Sequence, residues 1–314
     1  MEEFLNEVRD ELTKRIIPFW KSLRDDKNGG YIELVDFNLK RYPDAERGCI
    51  LNSRILWFFS ETYMYLGDPS LLLEAEHAYE MLKRMTDREY GGVYWSIAPN
   101  GSVLDSTKHT YNQAFAIYAL SSFYRASKNP KALALAKDLF RLIETRCRDS
   151  KGYLEAFTAD FKPAGNDKLS ENGVEAGRTM NTLLHVMEGY TGLYEASKSE
   201  DVRKRLYEIC DIFEHKIYNR ERRRQEVFFD KDYNTLIDLH SFGHDIETSW
   251  LMDHTLDVLG DDLLTSKIRP LLIEMAYNTY DLAFTDHGFH NECSAEKPIQ
   301  HAFGGFRRRL FWDF

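Results

Sequence analysis

Apolar and polar positions along this chain alternate in a pattern that returns roughly every 60 to 75 residues, a period typical of stacked supersecondary units. Four stretches, at 49–66, 111–126, 179–196 and 244–259, are apolar around most of their circumference, as expected of helices with a core on one side and partner helices on the other. A short polar break follows each: GDP at 67–69, SKNP at 127–130, SKSED at 197–201 and GDD at 260–262. Each break leads into a second helix, such as 71–87 or 130–146, that carries Lys, Glu and Arg on one face and belongs on the outside. Between the pairs sit Gly/aromatic segments, GGYIEL at 29–34, GGVYWS at 91–96, KGYLEAF at 151–157 and HGFHNE at 287–292, with EVFFDK at 226–231 as a weaker relative. The predicted unit is therefore inner helix, turn, outer helix, then a glycine-rich hairpin or loop.

Stacked helical hairpins that curve by a fixed angle can close into a ring, and an all-α toroid takes about six of them. This chain supplies one opening outer helix and four inner ones, so the predicted ring is incomplete at the C-terminus. With 314 residues, 43% hydrophobic and 14% aromatic, the chain is long enough to bury a large core as one domain. A formal charge of −10, with basic runs only at 222–224 and 307–309, argues against a nucleic-acid partner. No apolar stretch reaches the roughly 18 residues of a membrane span, and the start MEEFLNEVRDE is unlike a secretory signal, so the expectation is a cytoplasmic protein without a membrane partner. Cys49, Cys147, Cys210 and Cys293 form no CxxC pair and read as reduced packing residues.

If the inner helices line one funnel, polar residues near their N-terminal ends meet there. FGHDIETSWL at 242–251 places His244 and Glu247 three residues apart at a helix start, so that the carboxylate can hold the ring and leave one nitrogen for proton transfer. The first inner helix offers Arg54, and the second is preceded by His109 and Tyr111. In the third, Asn181, His185 and Glu188 share one face. Taken singly, Arg54 reads as a buried ion-pair partner, His185 as a satisfied core histidine and Tyr111 as packing. Four helix starts all bearing such groups are harder to derive from packing.

Two other chemistries are available. His240 and His244, with Asp245, have a spacing that suits a metal, but Gly243 and the helix start between them argue against a shared face, and no metal is expected. A glycosidase needs two carboxylates flanking a sugar bond, for which Glu188, Glu247 and the Asp87/Glu89 pair are present. Histidine suits abstraction of a proton α to a carbonyl better than protonation of a glycosidic oxygen.

The segments GGYIELVD, SRILWFFS, GGVYW, YNQAFAIYAL, GYLEAF, MNTLLHVMEGYT, FGHDIETSWL and GFHNE, in this order, resemble the cellobiose 2-epimerases of the N-acylglucosamine 2-epimerase superfamily, over nearly the whole chain to about residue 293. The resemblance implies an (α/α)6 barrel and an enzyme of the isomerase class, monomeric at full length. It implies C2 epimerisation of the reducing-end glucose of β-1,4-linked disaccharides, without cofactor, through ring opening and an enediol. By position, His244 is one of two acid/base histidines, Glu247 its partner, and Arg54 the cation facing the enediol oxygen. Tyr111, Asn181 and His185 bind the sugar and assist ring opening, Glu188 belongs to the same substrate-binding group, and Trp95 offers a flat face to a sugar ring. N-acylglucosamine epimerisation and aldose–ketose isomerisation share this histidine chemistry, and a sugar-binding remnant without chemistry is the reading from a different class.

At the C-terminus the resemblance stops. Family members continue with a segment like WWVQAEAVLGF and a second catalytic histidine, whereas this chain ends FGGFRRRLFWDF. Permitted codons for 303–314, read from the third base, translate as WWVQAEAVLGF. The expected division is a barrel domain at 1–297 lacking its last helices and an out-of-frame tail at 298–314, with a frameshift between about Ser294 and Gln300. Such a chain is expected to expose apolar faces of its terminal pairs and to be weakly active or inactive.

Overall fold

The computed structural model describes residues 2–166, 168, 173–286 and 288–294, so the expected tail at 298–314 lies outside the described residues. A helical run opens the chain, α1 (Glu2–Glu11) and α2 (Ile17–Ser22) joined through a π-turn at Leu12–Ile16. Four helix pairs follow: α3 (Cys49–Leu66) with α4 (Pro69–Arg84), α5 (Thr110–Ser127) with α6 (Pro130–Arg146), α7 (Met180–Ser197) with α8 (Glu200–Ile212), and α9 (Phe242–Leu259) with α10 (Asp262–Ala283). Inner helices pack side by side in the order α3, α5, α7, α9, and each outer helix lies against its own inner partner. The predicted unit and the all-α class both appear. None of the described helices is long and apolar enough to cross a membrane.

Local chemistry fixes the turns. Pro69 and Pro130 stand in the first turn of α4 and α6, where a missing N–H costs nothing, and the side chains of Asp68 and Asn129 cap Ser70 N and Lys131 N. All four inner helices end on a residue in the left-handed region whose N–H bonds back four residues: Gly67 (φ 70°), Lys128 (φ 59°), Lys198 (φ 51°) and Gly260 (φ 62°). Small residues let the layers close up, as with Ala75 and Ala78 on α4 and Ala132 and Ala136 on α6, all fully buried. Gly189 serves the same end between inner helices, since a Cβ there would meet Ala114 O of α5 at 2.7 Å. Cys49, Cys147 and Cys210 are buried free thiols, as expected, and Cys293 is half-buried.

Short antiparallel ladders tie each unit to itself. The strand before each inner helix pairs with the strand after the following outer helix: 47–48 with 96–97, 108–109 with 156–157, 178–179 with 228–229, and 239–241 with 292–294. Ion pairs made by buried cations tie each unit to the next. Asp25, Asp87 and Asp149, in the hairpins after successive outer helices, each accept two backbone N–H bonds on Oδ1. Each also holds a basic residue of the next unit's first strand: Arg47 at 2.8 Å, Lys108 at 2.9 Å and Arg178 at 2.6 Å. These three cations are at most 1% exposed. Burial pushes the three carboxyls up, but their N–H donors and cationic partners outweigh it and hold them below the ordinary carboxylate range.

The fourth joint is built differently. His240 stands two residues before α9, where Arg47, Lys108 and Arg178 stand before α3, α5 and α7, and its carboxylate is Asp245 on α9 itself, 2.8 Å away. Asp245 Oδ1 also accepts from the backbone and side-chain amides of Gln225 at 3.3 and 3.1 Å, which carries the link to the preceding unit. Burial holds the Asp245 carboxyl above its usual value despite His240 and Gln225.

Candidate active site

The sixth residue of each inner helix is Arg54, Phe115, His185 and Glu247, counting from Cys49, Thr110, Met180 and Phe242. These four equivalent positions form one continuous layer across the arc. The Arg54 guanidinium lies over the Phe115 ring at 4.8 Å, the Phe115 and His185 rings are 4.6 Å apart, and His185 Nε2 is 3.9 Å from Glu247 Oε1. Helical repetition brings a cation, an aromatic spacer, an imidazole and a carboxylate to one level, because equivalent positions of stacked hairpins face the same axis.

One turn deeper, at the ninth residues, lie Trp57, Tyr118, Glu188 and Trp250. Trp57 and Tyr118 stack with centroids 5.3 Å apart. Glu188 Oε2 is 2.8 Å from His185 Nδ1, which fixes the ring on one side and directs Nε2 toward Glu247. Tyr118 also donates to Glu188; burial, with the charges of Glu188 and Glu61, pushes its phenol well above the ordinary value. The second residues contribute Tyr111, whose ring meets His185 edge-on at 4.9 Å, and Asn181, whose Oδ1 is a buried acceptor without a hydrogen-bond partner among the described residues.

His244 occupies the third residue of α9, and its Nδ1 lies 2.7 Å from Ser241 Oγ. The contact at Nδ1 is a hydroxyl, and Glu247 has its Oε1 3.9 Å from His185 Nε2. Gln225 Nε2 donates to the His244 carbonyl at 3.2 Å and so fixes the backbone beneath the ring. Of the pair considered for a metal, His240 is committed to Asp245 and His244 to Ser241. Trp95 stands immediately before the strand at 96–97 that follows α4. Its ring is edge-on to His109 at 5.7 Å, and Lys168 Nζ lies 5.8 Å from it.

Two carboxylates, the half-buried Glu33 and the buried Glu155, anchor the helices that carry Arg54 and His185. Glu33 accepts from Gly48 N at 2.7 Å and from the Asn52 amide, and Glu155 accepts from Thr179 N and Thr182 Oγ1, each at 2.6 Å. Burial raises Glu33 to about 8 and Glu155 to about 7 against these donors. The predicted set of Arg54, Tyr111, His185, Glu188 and Glu247 meets in space. Phe115, Trp57, Tyr118 and Ser241 were not foreseen; aligning the four helices on their first residues exposes the first three, and Ser241 is marked only by standing three residues before His244.

Residues 16–293 match the family described as N-acylglucosamine 2-epimerase (GlcNAc 2-epimerase). A cellobiose 2-epimerase of Eubacterium cellulosolvens is 48% identical over 303 residues, which span 91% of this chain and 75% of that protein. The solved structure of a sugar epimerase from a ruminal bacterium superposes with a TM-score of 0.91 at 46% identity, covering 93% of this chain and 75% of that one. That of cellobiose 2-epimerase from Bacillus thermoamylovorans gives 0.90 at 40% identity, covering 95% and 77%. The chain belongs to the N-acylglucosamine 2-epimerase family and is an enzyme of the sugar epimerase and isomerase class.

Proposed function

We propose that the protein inverts C2 of the reducing-end glucose of a β-1,4-linked disaccharide of the cellobiose type. The observation that carries this reading is the layer of Arg54, His185 and Glu247 beside His244, on a chain 48% identical to a cellobiose 2-epimerase. Once the ring opens, C2 lies α to an aldehyde. His244 Nε2 takes the C2 proton, the C–H electron pair passes into the carbonyl, and the resulting enediolate oxygen is stabilised by Arg54, a fixed cation aimed at developing charge. Return of a proton from water to the opposite face of C2 completes the inversion, and without the second histidine that the resemblance implies this return is slow and the chain weakly active or inactive. Asn181 Oδ1 is an acceptor that a sugar hydroxyl satisfies, and Tyr111 and Trp95 offer ring faces to the sugar. His185, braced by Glu188, is placed to exchange a proton with a hydroxyl during ring opening. No metal or organic cofactor, nucleic acid or membrane enters this scheme, and the enzyme acts in the cytoplasm as a monomer.

Incubation with cellobiose in deuterated water tests the reading. Glucosyl-mannose labelled at C2 is the expected product, a ketose product reassigns the enzyme to aldose–ketose isomerisation, and binding without C2 exchange reduces it to a sugar-binding protein. N-acetylmannosamine formed from N-acetylglucosamine, with cellobiose untouched, moves the substrate to N-acylated monosaccharides.

A further inference from the structure

The floor beneath the layer carries a second line of contact to His185. Tyr118 of α5 lies with its ring stacked on Trp57 of α3 at 5.3 Å and an interplanar angle of 19°, and edge-on to Phe115 at 6.5 Å. These two neighbours fix the plane of the ring, and its hydroxyl donates to Glu188 on α7. An ionised carboxylate can only accept, so at Glu188 the phenol O–H and the His185 Nδ1–H, the latter 2.8 Å from Oε2, are both donors. The Glu188 side chain is 12% exposed and that of His185 3%, so water competes poorly with either bond. Phenylalanine would fill the same space, as Phe115 does one turn earlier on α5. What the tyrosine adds is one donor aimed at the carboxylate that braces the imidazole.

We infer that Tyr118 is a positioning residue that shares the Glu188 carboxylate with His185 and so tempers the hold of that carboxylate on the imidazole. Two donors divide the negative charge of one carboxylate, and each bond draws on the other. Without the phenol, the charge turns wholly to Nδ1–H and favours a second proton on the ring. The other groups facing His185 are Tyr111 of α5, edge-on at 4.9 Å, Glu247 of α9, with Oε1 3.9 Å from Nε2, and, across the Phe115 ring, Arg54 of α3. Tyr118 faces Glu188, Glu61 and Arg54. Removing the phenol oxygen leaves all of these side chains in place, which makes the hydroxyl a separable control on the ring. The bearing of this on turnover rests on the proposed part of His185 in ring opening, while the coupling itself is read on the protein alone.

The test is imidazole 15N NMR of His185 across pH on the full chain, assigned by substitution of that residue. Beside it runs the catalysed interconversion of cellobiose anomers, which reports ring opening and needs no return of a proton to C2. In Tyr118→Phe, which keeps the ring over Trp57, the pH at which His185 takes its second proton should rise by roughly 0.5–1 unit, a fraction of the 1–3 units that a neighbouring charge exerts directly. The pH profile of anomer interconversion should move with it. In a Glu188→Gln background the same tyrosine change should have no further effect, since the link between the two rings is gone. A His185 titration unmoved by Tyr118→Phe, or moved as far in the Glu188→Gln background, overturns the inference. A moved titration with an unmoved profile upholds the coupling and removes His185 from ring opening, so the two readings fail separately.

Discussion

Arg54 owes its usefulness to a neighbour with no polar atom. The Phe115 face, 4.8 Å from the guanidinium, holds the cation flat and shares its other contacts with Tyr111 and His185. Lysine has the charge but is a compact, strongly hydrated ammonium on a flexible stem, which does not reproduce a stacked plane. Arg54→Lys is therefore expected to lower C2 exchange or turnover by on the order of 10²-fold while sugar affinity changes far less, measured by kinetics beside a binding isotherm. Unchanged turnover would remove Arg54 from the transition state. The contrast between these two side chains also explains what the sequence reveals. Arg54, Asn181, His185 and Glu247 stand out as polar residues in apolar helices. Phe115 is indistinguishable from core filling until the four helices are superimposed.

The helix pairs were legible because their punctuation is chemical: GDP and SKNP place a left-handed terminator, a cap and a first-turn proline in succession. Two of the four terminators are nevertheless lysines. A Cβ-bearing residue in that conformation carries a strain of about 1–2 kcal/mol that glycine avoids. Lys128→Gly should raise unfolding free energy by about 0.5–1 kcal/mol, read from chemical denaturation, whereas a loss would mean that the lysine stem over Tyr124 matters more. The two-residue ladders were not legible, since so short a strand has no period. The buried Glu155 beneath α7 gives a pH signature. Its carboxyl is raised to about 7, so the folded form prefers the proton. Its contribution to stability is full below the ordinary glutamate value and declines as pH rises through about 7. Glu155→Gln should flatten that decline in denaturation midpoints between pH 4 and about 8. Asp25, Asp87 and Asp149 act in the opposite sense, and their contribution is lost only as pH falls through their depressed values.

At one end Phe4, Leu5 and Val8 of α1 are exposed, and at the other Ile246 and Trp250 of α9 with Ile273, Tyr277 and Tyr280 of α10. Between those ends the molecule is a row of units clasped by Asp25–Arg47, Asp87–Lys108 and Asp149–Arg178. These clasps were invisible in the sequence because each joins residues more than twenty positions apart. Lys108→Met leaves Asp87 buried opposite an apolar chain and should destabilise by about 3–5 kcal/mol. The double change Asp87→Asn with Lys108→Met should recover at least half of that in denaturant titrations, and no recovery would mean that the lysine stem, not the charge, is what matters.

A row coupled through its joints behaves as a one-dimensional chain of neighbours, in which opening begins at the ends and must cross each junction to travel inward. The proposed acid–base groups lie across the fourth of these junctions, with His185 before it and His244 and Glu247 after it, joined by Gln225, Asp245 and His240. Separation at that single seam would disperse the reacting groups while every helix stayed folded. Catalytic competence can therefore fade under conditions that leave the helical content untouched, and hydrogen exchange at 224–225 and 239–241 would report its loss before circular dichroism does.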